Sequence, residues 1–215
     1  MMKTFALSFC LLVTSISLSF AQSAQYEGAM KKQIALLSDP ATHGSPEKMQ
    51  EIGNTFERIA AAEKTQWLPY YYAGYCFVMN ALAEKDKSKV DAIADKAEAD
   101  IEKAEALSPK NDEIYCIRSL ILTSRIGVDP MTRGMQLGAQ SADLLVQAGQ
   151  INKDNPRVDL LQGQSLYYTP EQFGGSKERA MQKFELALKK YSAFKPASDI
   201  APQWGEDYTK QLLAK

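Results

Sequence analysis

The chain has one histidine, His43, and three cysteines in 215 residues. A Ser-His-Asp or Cys-His nucleophilic centre would have to use His43. It lies in the turn DPATHGSP, with no second histidine and no cysteine near it in sequence, and no GxSxG is present. A GxxxxGK[ST] phosphate loop is also missing, and Gly174-Gly175 is a hinge without a lysine-bearing cradle. An excess of one charge is lacking too. Lys and Arg number 25 against 26 Asp and Glu, so no bulk positive charge favours phosphate-rich partners, and no basic stripe is interleaved with aromatics. These absences argue against an enzyme, a cofactor, a metal site and a nucleic-acid partner.

One long uncharged run exists, and it is at the start. MMKTFALSFCLLVTSISLSFAQ carries a lysine at position 3, an uncharged stretch from Thr4 to Ala21, and small residues at Ser19 and Ala21. That is the pattern of a secretory signal over 1–21, cut after Ala21. An uncleaved anchor is the competing reading, because the run approaches spanning length, but its serines dilute it. Phe9 before Cys10 fits a lipidation box poorly. The expected mature protein is therefore exported, periplasmic or secreted, without a membrane span, and retains Cys76 and Cys116. In an oxidising compartment these two could pair. They could equally be buried thiols, which their separation favours slightly, since it carries no zinc or redox spacing.

What is abundant is helical patterning. No run of alternating β-branched residues is bounded by turns, so an all-α chain is expected. Ser45-Pro46, Asp129-Pro130, Asn155-Pro156 and Thr169-Pro170 each place an acceptor side chain before a proline, a first-turn signature. The periodicity predicts helices near 25–37, 46–64, 67–84, 87–107, 112–126, 131–149, 156–168, 176–192 and 202–214. Short connections make successive helices antiparallel neighbours.

The helices also repeat. Ala180, Phe184 and Ala187 recur as small, large, small on one face, and so do Ala97, Ile101, Ala104. Ala142, Val146, Gly149 and Ile52, Phe56, Ile59 follow a similar spacing. The preceding helices carry Tyr70, Ala73, Gly74, Phe77, then Tyr115, Arg118, Ser119, Leu122, then Asp159, Gln162, Gly163, Leu166. Gly74, Ser119 and Gly163 would let each helix press on its partner. Over residues 46–192 this resembles the tetratricopeptide repeat, with a longer period and with Asp159 and Arg118 where the family has an aromatic and an aliphatic. The resemblance implies an α-solenoid: a right-handed superhelical array of antiparallel pairs, three to four hairpins in all. The repeats would occupy 46–195, after an N-terminal helix and linker at 22–45, with a C-terminal capping helix at 196–215 whose Trp204, Tyr208 and Leu212 share a face.

The resemblance further implies a concave groove lined by Tyr71, Tyr75 and Val78, then Cys116, Leu120 and Thr123, then Leu160, Gln164 and Tyr167. A protein or peptide segment would bind there, through tyrosines that bury ring area while offering hydroxyls. The alternative is a groove filled in cis by residues 25–37. An acidic stripe, Asp91, Asp95, Glu98, Glu102 and Glu105, reads as a solvated outer face rather than a site for a basic partner or a cation. The expected function is a non-catalytic protein-interaction scaffold. A self-assembling envelope component, a homo-oligomer of this chain or part of a larger complex, is the second class, and a small-molecule binder or enzyme the third.

Overall fold

The computed structural model describes residues 24–39, 42 and 45–214. The expected signal segment and His43 lie outside the described residues. The helices are α1 (24–37), α2 (Pro46–Glu63), α3 (Trp67–Ala83), α4 (Lys87–Leu107), α5 (Asp112–Val128), α6 (Pro130–Ile151), α7 (Pro156–Tyr168), α8 (Lys177–Ala193) and α9 (Glu206–Leu213), with a 3-10 turn at Glu171–Phe173. No strand occurs among the described residues.

The helix starts follow local chemistry. The side chains of Ser45, Asp129 and Asn155 accept hydrogen bonds from the backbone N–H groups of Lys48, Thr132 and Arg157, each just before a proline at the first helical position. Asp86, Asn111 and Ser176 cap α4, α5 and α8 in the same way. Thr169-Pro170 departs from expectation. Thr169 ends α7, and Pro170 leads into the 3-10 turn, which closes on Gly174 at φ 93°.

Helices α3 and α4, α5 and α6, and α7 and α8 pack as neighbouring pairs, α2 packs on α3, and α9 packs on α8. The helix opening each pair also touches the one opening the next, α3 to α5 and α5 to α7. Each of these three carries its small residue against its own partner. A Cβ on Gly74 would stand 2.7 Å from Ile101 Cγ1, and one on Gly163 would stand 2.5 Å from Phe184 Cε1. At the equivalent place Ser119 Oγ lies 2.7 Å from Ser141 Oγ, so a hydroxyl pair fills the contact.

Ala97, Ile101 and Ala104 are buried, as are Ala180, Phe184 and Ala187. In α6 the buried set is Ser141, Leu145 and Ala148, one residue back from the expected Ala142, Val146 and Gly149. In α2, Ile52 and Phe56 are joined by Ala60, while Ile59 is half-buried. The last helix is shorter than predicted. It begins at Glu206, leaving Trp204 in the irregular segment before it; Leu212 is buried and Tyr208 is partly exposed. Cys76 and Cys116 are both buried and both free thiols, and burial pushes each thiol's pKa up.

Candidate functional site

Of the nine residues expected to line a groove, Tyr71, Tyr75, Val78, Cys116, Leu120 and Leu160 are buried. Gln164 and Tyr167 are half-buried, and Thr123 is exposed. The chain's own C-terminal segment, residues 194–205, covers the tyrosines. The Trp204 indole stacks on Tyr75 with ring centroids 5.2 Å apart and planes at 29°, and its N–H donates to Tyr71 Oη at 2.7 Å. Tyr72 donates its hydroxyl to the Ile200 carbonyl at 3.0 Å. Helix α1 contributes Tyr26, Met30 and Leu37 to the same core, and Lys31 pairs with Asp199 at 2.7 Å. The cover is thus the C-terminal segment, with α1 beside it.

Beneath the cover lies a buried charge pair. Arg157, 1% exposed, grips Glu113 with Nε at 2.9 and 2.8 Å from the two carboxylate oxygens and Nη2 at 2.6 Å from Oε1. Asn155 Nδ2 and the Tyr71 hydroxyl also donate to Glu113. Burial lifts the Glu113 carboxyl above its usual range, while Arg157 pulls it down. Every group facing its oxygens is a donor, which is the environment of an ionised carboxylate. The Trp204 carbonyl accepts from Tyr191 Oη at 2.9 Å and from Arg157 Nη1 at 3.4 Å, which ties the cover to the pair.

The acidic stripe of α4 is neither free nor simply solvated. Arg118 pairs with Glu98 and Glu105, Arg125 with Asp95, and Arg133 grips Asp91 through both terminal nitrogens. Asp91 is held below its usual range, first by the Arg133 hydrogen bond. These contacts join α4 to α5 and α6. No cluster of His, Cys, Asp and Glu suited to a metal ion occurs among the described residues.

An open apolar surface remains at one end of the molecule. Helix α6 has 22 residues and α7 has 13, so at ~1.5 Å per residue α6 outruns its antiparallel neighbour by about 13 Å. From Pro130 to Gln140 no α6 residue is buried. Lower down, a Cβ on Gly149 would lie 3.6 Å from Val158 Cγ1, so that face of α6 looks toward α7. Ala142, Gly138, Met135 and Met131 stand on the same face at helical spacing, the last three at or past the reach of α7. Met131 is 81% and Met135 89% exposed, and a Cβ on Gly134 or Gly138 would meet nothing within 4 Å.

The facing wall is the end of α7. Ser165 continues the Val158 face and is exposed; Tyr168 follows at 59% and Phe173 at 63%. The Tyr168 ring meets Tyr167 edge-on at 5.0 Å, and its hydroxyl lies 3.2 Å from that of Tyr208 on α9. That hydrogen bond, with burial second, pushes the Tyr168 phenol up to about 12. Lys177 Nζ sits 5.6 Å from the Tyr167 ring centre. The exposed thioethers of Met131 and Met135 and the exposed rings of Tyr168 and Phe173 form an apolar strip at this end of α6 and α7, with Lys177 beside Tyr167. It suits a planar apolar ligand carrying an anionic group. Tyr167 was expected from the sequence to line a peptide groove, and it stands beside this strip. Met131, Met135 and Gly138 were not expected at a site, since exposure of a helix end depends on the length of its neighbour.

The fold is a succession of helix pairs, all-α among the described residues. No protein-family model matches the chain, and no curated protein does. Among solved structures it is similar to the HusA haemophore from Porphyromonas gingivalis, with 37% identity, coverage of 87% of this chain and 90% of that one, and a TM-score of 0.78. The chain belongs to the family of that haemophore. None of its helices, among the described residues, is long and apolar enough to cross a membrane.

Proposed function

We propose that the protein is an exported, non-catalytic haem-binding protein that holds the macrocycle on the strip between α6 and α7. The observation that carries this is 37% identity to a haemophore over nearly the whole of both chains. The strip supplies a physical basis. Small residues at Gly138 and Ala142 let a flat ring approach the helix, Met131 and Met135 adapt to it, and Tyr168 and Phe173 offer ring faces. Covering roughly 200 Å² of apolar surface would contribute about 5 kcal/mol. Lys177 is placed to pair with a carboxylate of the ligand.

We read the helix pairs as a tetratricopeptide-like array, supported by the matching places of Gly74, Ser119 and Gly163. A scaffold for partner proteins draws less support, because Tyr71 and Tyr75, two of the three tyrosines meant for the partner, are buried against Trp204.

The test is titration of residues 22–215 with haemin, followed by its Soret absorbance. Saturation at one haem per chain is expected. Gly138→Leu fills open space and should leave helicity and Tm unchanged or slightly raised while weakening binding at least tenfold, since one lost ring contact is worth about 1.4 kcal/mol or more. Wild-type protein that leaves the haemin spectrum unchanged would overturn haem binding. Equal affinity in the Gly138→Leu variant would move the site elsewhere.

A further inference from the structure

The C-terminal segment is attached by few bonds relative to its length. Residues 194–205 form no helix or strand, contain Pro196 and Pro202, and have Lys195 to Asp199 exposed. The segment is held at four places: Phe194, whose ring centre lies 4.8 Å from Arg157 Cζ, Asp199 through Lys31, Ile200 through the Tyr72 hydroxyl, and Trp204 through four partners. These are Tyr75 by stacking, Tyr71 by the indole N–H, and Tyr191 and Arg157 at its carbonyl. Gly205 follows at φ 107° and α9 begins at once. Four residues after Trp204, Tyr208 meets Tyr168. The anchor and the strip are therefore joined by a single turn of chain.

We propose that Trp204 is a latch for the strip: docked on Tyr75, it holds α9 so that Tyr208 buttresses the Tyr168 wall, and undocking frees α9 and speeds departure of the bound ligand. The inference rests on the haem reading for its consequence, but the latch is a property of the free protein. Trp204 is a positioning residue, not a contact of the ligand. An irregular segment with two prolines undocks without breaking a helix or sheet ladder, so its release costs the side-chain contacts of Trp204, Ile200 and Phe194 and the exposed Lys31–Asp199 pair. The buried Arg157–Glu113 pair beneath remains on the body, which keeps the helices assembled when the cover lifts.

Two measurements on full-length mature protein test this. In the absence of ligand, Trp204→Ala should speed amide exchange across α9 at least tenfold while α3 and α5 keep their protection. With haemin bound, transfer to excess apomyoglobin should be about tenfold faster in Trp204→Ala. Tyr208→Phe should speed transfer in the wild-type background and add nothing to Trp204→Ala, because both act through one element. Trp204→Phe keeps a ring on Tyr75 and loses the N–H, so it should fall between; it replaces the alanine variant if that one does not fold. Unchanged α9 exchange, wild-type transfer rates, or effects of the two substitutions that multiply would each overturn the latch. Failure of wild-type protein to take up haemin would remove the reading on which the consequence rests, while α9 exchange would still decide the latch.

Discussion

Asp100 sits on the buried side of α4, 1% exposed, with Oδ1 bonded to Lys103 at 3.1 Å and Oδ2 without a hydrogen-bond partner among the described residues. Burial is the main cause that raises its carboxyl to about 6, against the pull of Lys103. A carboxyl whose folded pKa exceeds its unfolded value binds its proton more readily in the folded state. Its ionised form therefore costs stability above about pH 6, and the cost is relieved as pH falls from 6 toward 4. Asp100→Asn should raise stability at pH 7.5 by roughly 1–2 kcal/mol, in urea melts compared with wild type, and should give little difference at pH 4. A variant equally or less stable at pH 7.5 would show that Asp100 ionises without cost.

At the scale of the element, α6 divides in two. Below Gln140 its buried face is packed; above it, the helix is held by the Asp129 cap and by the Arg133 grip on Asp91. Asp129→Ala should speed amide exchange over residues 131–138 severalfold and leave the rest of the chain protected. Uniform protection would mean that the overhang is held by something other than its cap. The same helix shows what sequence could convey. Its start was legible because Asp129-Pro130 is local chemistry. Its buried face was read one residue off, because Ala142, Val146 and Gly149 also recur at helical spacing. An apolar stripe facing solvent and one facing the core look alike in a sequence, and the packing of Ser141 against Ser119 of α5 decides between them. Trp204 likewise read as part of a final helix, since its spacing to Tyr208 and Leu212 is helical, whereas Gly205 in the left-handed region interrupts the chain between them.

For the whole molecule, the Arg157–Glu113 pair joins the start of α7 to the start of α5 and supports the cover above both. Arg157→Met would leave a buried carboxylate without its cation and should cost about 3–5 kcal/mol, read by chemical denaturation. Adding Glu113→Leu should restore much of that loss, because an apolar pair needs no compensation. A mild Arg157→Met variant would indicate that Glu113 is protonated in the folded protein. The succession of helix pairs was legible from Gly74, Ser119 and Gly163, which act within one pair. The closing of the tyrosine face was not. Tyr72 meets Ile200 across 128 positions of chain, and no local pattern announces so distant a contact.

Cys76 and Cys116 have a consequence for how the protein is made and watched. If the chain is exported as proposed, its thiols must be buried before they are oxidised, since both are free and sealed in the folded protein. Once closed, the chain should resist maleimide, and the speed at which it takes up the reagent becomes a label-based clock for how often its interior opens.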